Sequence, residues 1–399
     1  MDRETLTTRN RQLAEAFHSP PVRHRLRRTL IQAAAHFPFT PCPTARVRRV
    51  LFIRPDHLGD MLLATPAIRA FKAARPFVEV HVLAGAWAAP VLAGYSEIDR
   101  VLTIPFPGFN RHETHRSPLA PYTQLVRVSR QLRLIGYAAA VLLRPDHWWG
   151  AMLAHAAGIQ ERIGYDLPDV APFLTQRVAF RHEHVIRQNL RLVEHWTGKI
   201  DDEDVPYSLP VFDDDRDFIR AYLETCGIPA RQTVICLHPG SGTWAKQWDG
   251  ESWAKVADTL IEQAGADIIF TGSDHELPLV TSIMNRMRYR AFTVAGDLNI
   301  GQLAALYERA QVVLGPDSGP LHIAAAVGTP TVALYGPADP VEFGTWGSRQ
   351  QHLILTAPIA CRPCRVLDWG DDAPDFHPCV RDISIGQVLE AARRLLAHR

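Results

Sequence analysis

Short apolar runs of strand length alternate with longer helical segments along this chain, in two series parted by an acidic stretch. The first series opens with Val50, Leu51, Phe52 and Ile53, a continuous apolar run of the kind that forms a parallel strand buried on both faces. After it the pattern predicts a helix from about Leu62 to Arg75, a strand from Val78 to Leu83, a helix around Ala88 to Tyr95 and a strand from Arg100 to Ile104. A helix from Tyr122 to Leu134, a strand from Ala138 to Leu143 and a helix after Trp149 follow. The second series predicts strands at Thr233 to Leu237, Asp267 to Phe270, Ala291 to Val294, Val312 to Leu314 and Thr331 to Leu334. Its helices begin near Glu251, His275, Ile300 and Gly319. Strict succession of strand and helix requires crossover connections, so each series predicts an α/β, doubly wound parallel sheet covered on both faces. Ligands of such sheets bind beyond the carboxyl ends of the strands, which directs attention to the turns there.

A chain of 399 residues is long for a single core, and the pattern predicts two domains facing each other across a cleft. They cover residues 47–205 and 206–375, behind a basic helical extension over 1–46 and ahead of a C-terminal helix over 376–399. Between Lys199 and Asp217 the Pro-punctuated acidic sequence has neither helical nor strand period and reads as a linker and hinge. A net charge of +1 gives no reason to expect a nucleic-acid partner. The first fifty residues nevertheless hold ten arginines against Asp2, Glu4 and Glu15. That surplus is either a solvated helix face or an attraction to anionic lipid headgroups, worth about 1 kcal/mol per charge near the surface. No apolar run approaches the ~20 residues that span a bilayer, and no signal segment opens the chain. The expectation is a cytoplasmic protein, with peripheral contact at the inner face of a membrane as the further option.

Four turns carry residues with chemical potential. The first strand ends in Arg54-Pro55-Asp56-His57-Leu58-Gly59-Asp60. Gly59 permits close approach of a ligand, and Asp60 at the helix start serves either as a cap or as a base. In the second half, His238-Pro239-Gly240-Ser241-Gly242-Thr243-Trp244-Ala245-Lys246 joins small residues to two hydroxyls and a lysine. Such a loop can bring backbone N–H groups, Ser241, Thr243 and Lys246 to phosphate oxygens, although it is not a P-loop and also suits a plain surface turn. Gly315-Pro316-Asp317-Ser318-Gly319-Pro320-Leu321-His322 places Pro320 at a first helical position, and the helix terminus there can hold a diphosphate without a metal. Asp317 is a turn cap or a ligand contact, and His322 a packed helix residue or a phosphate contact. Glu276, in the first turn after Phe270-Thr271-Gly272-Ser273, can accept from a ribose diol or simply complement the helix dipole.

Taken together these segments resemble glycosyltransferase family nine, the heptosyltransferase-like enzymes of GT-B fold. The likeness rests on Ile53-Arg54 through Leu58-Gly59-Asp60 with Thr65-Pro66-Ala67, on His238-Pro239-Gly240 with Lys246 and Trp248, and on Asp317 to His322. Tyr335-Gly336-Pro337 and Asp339-Pro340 complete it, over roughly residues 47 to 385. The resemblance implies an inverting, metal-independent transfer of a sugar, usually heptose from an ADP-linked donor, to the inner core of lipopolysaccharide or another glycan or lipid-linked saccharide. It implies no cofactor, Asp60 as base, and Lys246 and Asp317 as further catalytic positions. On the donor it implies Gly240, Ser241, Thr243, Lys246, Glu276, Ser318, Gly319, Pro320, Leu321 and His322. On the acceptor the candidates are Arg54, His57, Gly59 and Arg144. Pro55-Asp56-His57 departs from the small hydroxyl residues common in that family, and the aromatic Arg144-Pro145-Asp146-His147-Trp148-Trp149 suits either sugar stacking or packing.

Rival readings are a nucleotide-sugar epimerase or phosphorylase of the same fold, or a nucleotide-sugar binding protein without catalysis. The lack of G-x-G-x-x-G in the first turn argues against an NAD-dependent enzyme. Cys361-Arg362-Pro363-Cys364 followed by His377-Pro378-Cys379 offers four ligands for a tetrahedral metal, but with tighter spacing than usual zinc sites. Free or paired thiols fit equally, so no metal is assigned.

Overall fold

The computed structural model describes residues 3–18, 22–36, 41, 48–109, 117, 119–370, 372 and 374–397. Cys42, Pro43, Arg46, Asp371 and the expected boundary at residues 46 and 47 lie outside the described residues. The chain divides into two compact units, one of residues 20–207 and one of residues 208–399 together with 1–19.

In the first unit β1 (Arg49–Arg54), β2 (Glu79–Ala84), β3 (Arg100–Thr103), β4 (Ala139–Leu142), β5 (Glu161–Tyr165) and β6 (Gln176–Val178) form one sheet in the order β3-β2-β1-β4-β5-β6. Every neighbouring pair is parallel. The second unit repeats this plan with β7 (Val234–Leu237), β8 (Asp267–Phe270), β9 (Phe292–Thr293), β10 (Val312–Pro316), β11 (Thr331–Tyr335) and β12 (His352–Thr356), in the order β12-β11-β10-β7-β8-β9. These pairs are parallel as well. The winding reverses between β1 and β4 in one sheet and between β7 and β10 in the other. Connections leave opposite faces at such a point and open a crevice at the carboxyl ends of the strands.

The central strands are where the apolar runs predicted them, because residues covered on both faces must be apolar throughout. All of Val50–Arg54 and all of Val234–Leu237 are buried. Each aliphatic side chain so enclosed contributes about 1.5–3 kcal/mol. The second core also encloses Trp253, whose ring meets that of Trp248 edge-on at 5.1 Å. Toward the edges the pattern fades: the edge strands β6 and β12, and β5 next to β6, were not anticipated, since short strands at or near an edge need little apolar sequence.

Three expectations are corrected. The helix foreseen from Leu62 to Arg75 is two helices, Leu58–Leu62 and Thr65–Ala74, because Pro66 lacks an N–H and suits only a first turn. The stretch between Lys199 and Asp217 is not structureless to its end, since a helix spans Asp213–Thr225. Asp213, Asp214 and Asp215 lie in its first turn, where carboxylates favour the helix dipole, while Ile219 and Leu223 are buried four residues apart. The segment around Ala88 to Tyr95 is a 3₁₀ turn over Ala89–Leu92.

The basic extension is shared between the units. Helix Arg3–His18 belongs with residues 208–399, where Arg9 donates to both carboxylate oxygens of Asp372 at 2.9 Å and Arg3 lies 2.5 Å from Asp382. Helix Val22–Ala35 belongs with residues 20–207, where Arg28 lies 2.7 Å from Asp169. Arg3, Arg9 and Arg28 thus each have an aspartate partner within the protein, although Arg3 and Arg28 stay exposed at 58% and 45%.

Candidate active site

In the first unit the site forms where β1 and β4 run side by side. Arg54 closes β1 and is buried, donating to the carbonyl of Leu143 at 2.6 Å. Its guanidinium also lies 2.7 Å from the Asp56 carboxylate and 3.3 Å from that of Asp60. Asp56 is buried as well and pairs with Arg144, whose Nε lies 2.6 Å from Asp146. Burial opposes ionisation of Asp56, but the guanidiniums of Arg54 and Arg144 outweigh it and hold its pKa below the ordinary value. The Arg144 guanidinium lies over the Phe109 ring, 5.0 Å from its centroid.

Asp60 occupies the third position of helix Leu58–Leu62, and the N-cap is His57, whose side chain makes no capping hydrogen bond. Asp60 is therefore not the cap. Its side chain retains 30% of its exposure at the mouth of the β1 turn, which leaves a carboxylate reachable by a solute. Gly59 is buried beside it, and the His57 ring centroid lies 6.1 Å from that of Trp87. His147 is buried against Phe106 and Trp149, and burial pushes its pKa down to about 3. Neither ring nitrogen of His147 has a hydrogen-bond partner among the described residues. In the aromatic turn Trp149 is thus a packing residue, 2% exposed, with its Nε1 donating to the carbonyl of Pro121.

Asp56 was passed over as a site residue. The signal for it lies in the tetrapeptide Arg-Pro-Asp-His, present at both Arg54–His57 and Arg144–His147. Two adjacent parallel strands ending in the same peptide bring two arginines and two aspartates into one interlocked cluster.

In the second unit the crevice between β7 and β10 gathers most of the donor-side candidates. Lys246 ends a 3₁₀ turn over Trp244–Lys246, and its Nζ lies 2.5 Å from Asp317 Oδ2. Both side chains are largely enclosed. Asp317 leads into helix Gly319–Ala326, with Ser318 as N-cap and Pro320 in the first turn. The Ser318 hydroxyl is buried with no hydrogen-bond partner among the described residues. Leu321 and His322 are buried in that helix. Gly315 is required by close approach, for a Cβ there would lie 2.6 Å from Leu321 and 2.7 Å from the His238 carbonyl oxygen.

Glu276 completes a capping box. Its carboxylate accepts from the Ser273 backbone N–H at 2.8 Å and from the Ser273 hydroxyl at 2.9 Å. Its other oxygen lies against Gly240, where a Cβ would come within 2.0 Å. The loops after β7 and β8 therefore touch through a glycine and a carboxylate. Ser241 and Thr243 direct their hydroxyls to protein carbonyls, those of Thr243 and Leu367, each at 2.6 Å. Behind this layer His238, Thr271 and Tyr307 form a buried hydrogen-bonded chain at 3.1 and 2.9 Å. Asp339 caps the short helix Pro340–Phe343 and lies 2.7 Å from Arg365.

Known proteins resemble this chain in sequence and in fold. Residues 125–368 match the profile of glycosyltransferase family 9 (heptosyltransferase). Lipopolysaccharide heptosyltransferase 2 of Escherichia coli strain K12 is 25% identical over 87% of this chain and 98% of its own. Lipopolysaccharide heptosyltransferase 3 of Escherichia coli is 27% identical over 73% and 84%. Among solved structures, the family 9 glycosyl transferase of Veillonella parvula superposes with a TM-score of 0.74 at 22% identity, covering 90% of this chain and all of that one. The E. coli ADP-heptose lps heptosyltransferase II gives 0.68 at 21% identity over 88% and 99%. Two doubly wound sheets of one strand order, with charged turns at both winding reversals, are the GT-B fold, and this chain belongs to glycosyltransferase family 9, the heptosyltransferases.

Proposed function

We propose that the chain transfers a heptose from an ADP-linked donor to a hydroxyl of a lipopolysaccharide-core or related acceptor, with inversion and without a metal at the phosphates. Support for the sugar and acceptor comes from the names of the relatives, lipopolysaccharide heptosyltransferases 2 and 3. In this reading residues 206–375 hold the donor and residues 47–205 the acceptor. Among the described residues no helix is long and apolar enough to cross a membrane. The proposed setting is the cytoplasmic face, where a lipid-linked acceptor is reached from the water side.

The observation that carries the reading is the Lys246–Asp317 pair beside the N-terminus of helix Gly319–Ala326. A departing nucleoside diphosphate gains negative charge, and an ammonium, the positive end of the helix dipole and the Ser318 hydroxyl, which has no partner among the described residues, are groups that stabilise it. Asp317 holds Lys246 in place until the diphosphate arrives and then orients it. Glu276, with one oxygen in the capping box, uses the other for the ribose diol. Gly240 has to be glycine for that carboxylate to reach so far.

On the acceptor side Asp60 takes the proton of the attacking hydroxyl. The buried arginine–aspartate cluster fixes Arg54, and through it the direction of the Asp60 carboxylate. Arg54, His57, Gly59 and Arg144 line the acceptor. Direct attack by that hydroxyl on the anomeric carbon, opposite the diphosphate, yields inversion.

Thermal shift against ADP-, GDP-, UDP- and dTDP-sugars tests the donor, since a ligand selective for the native state raises the melting temperature. ADP-heptose should give the largest rise, and turnover should be unchanged by omitting Mg²⁺. Stabilisation by another nucleotide with none by ADP would overturn the donor assignment. Product formed without acceptor would favour the epimerase reading.

A further inference from the structure

The cysteine-rich segment after β12 takes no part in the chemistry above. Cys361, Cys364 and Cys379 are thiols, not a disulfide. Together with His377 they line a void of about 10 Å³, the room of roughly one water-sized sphere. Asn10 of the N-terminal helix, Ala245 of the loop bearing Lys246, Pro337, Trp369, Pro378 and Arg362 make up the rest of its wall, the Arg362 guanidinium donating to the Gly336 carbonyl at 2.7 Å. Three thiols and an imidazole drawn from a CxxC and an HxC form a soft donor set, which suits zinc or iron and not magnesium or calcium.

His377 carries a second mark of a ligand. Its Nε2 lies 2.9 Å from an Asp372 carboxylate oxygen. A carboxylate on one ring nitrogen fixes the tautomer and leaves the other nitrogen with its lone pair, the usual arrangement behind a metal-bound histidine. Asp372 is itself held by Arg9. The imidazole is oriented further by Trp369 and Trp244, at 4.3 and 5.3 Å between ring centroids.

We propose that Cys361, Cys364, Cys379 and His377 bind one zinc or iron ion in tetrahedral coordination, as a structural staple behind the loop that carries Lys246. In the present structure no three of these ligand atoms lie within 4.8 Å of one another. A tetrahedral ion with metal–sulfur bonds of about 2.3 Å sets sulfurs about 3.8 Å apart, so binding draws the ring inward by about 1 Å or more. Each ligating thiol gives its proton to solvent, and affinity therefore falls as pH is lowered. Contraction would bear on Ala245 and Trp244 on one side and on the docked helix Arg3–His18 on the other. The staple thus fixes the Lys246 loop and the N-terminal helix without touching substrate.

The test uses the full chain purified under reducing conditions. Elemental analysis should find about one equivalent of zinc or iron per chain. Cys361→Ser combined with Cys379→Ser should abolish it, and Cys226→Ser should not. Asp372→Asn should weaken affinity by roughly 10–100-fold in competition with a chromophoric chelator. Because the double variant is at risk of misfolding, wild-type protein stripped of metal is also titrated with Co²⁺. A thiolate-to-cobalt charge-transfer band saturating at about one equivalent supports the site. Absence of that band together with no retained metal overturns the proposal, as does undiminished metal in a folded double-serine variant.

Discussion

Lys246 and Asp317 meet at 2.5 Å, which ties the loop after β7 to the loop after β10 across the point where the second sheet reverses its winding. With Asp317 6% exposed at its side chain, the pair is close to a buried one.

Lys246→Ala leaves that carboxylate without its cation, a change that costs about 3–5 kcal/mol when one partner of a buried pair is removed. Donor affinity and turnover should fall together, kcat by roughly 10²–10³-fold. The double variant with Asp317→Asn should recover most of the stability and none of the activity. Denaturant midpoints and steady-state kinetics on the three proteins decide this; full activity in the double variant would remove Lys246 from the mechanism.

Asp60→Ala should lower kcat by roughly 10²–10⁴-fold, the usual contribution of a positioned base. Its stability cost should stay within about 1 kcal/mol, since the side chain is partly exposed and Arg54 keeps Asp56 as its buried partner. Donor-induced thermal stabilisation should persist. Wild-type turnover in this variant excludes Asp60 as the base.

Glu276 has two separable duties. Glutamine can replace glutamate in a capping box, so Glu276→Gln should keep the melting temperature while raising KM for the donor. Glu276→Ala should also cost about 1 kcal/mol through the lost cap. Unchanged donor KM in both would leave Glu276 a cap and nothing more.

His147 makes stability depend on acid. Burial keeps its pKa near about 3, whereas an unfolded histidine titrates near about 6.5. Between these values the unfolded chain binds a proton that the native chain excludes. Stability is therefore level above about pH 6.5 and declines below it, by up to about 1.4 kcal/mol per pH unit. His352, pushed down to about 4 by burial, acts in the same direction. His147→Phe forfeits no hydrogen bond among the described residues and should flatten part of the decline between pH 6.5 and pH 4. Urea unfolding at these two values measures it, and an equal slope in wild type and variant refutes the account.

Sequence alone determined the strands with the plainest physical signal. Val50–Ile53 and Val234–Leu237 had to be apolar throughout because helices cover both faces of a parallel sheet, and that requirement is local enough to read residue by residue. The turns after those strands were equally legible, since Gly and Pro mark them and ligands of this architecture gather there. What tertiary structure alone decided was which partner each charged group took. The turn alone left Asp60 as cap or base until His57 proved to hold the cap position, and Asp56 was not taken as a site residue until β1 and β4 brought Arg144 to it from 88 residues away, beside Arg54. Glu276 gained its place over Gly240 only when the loops after β7 and β8 were set side by side. Backbone periodicity reports on neighbours along the chain, whereas an ion pair depends on distances between loops of one sheet, which exist only once that sheet has formed.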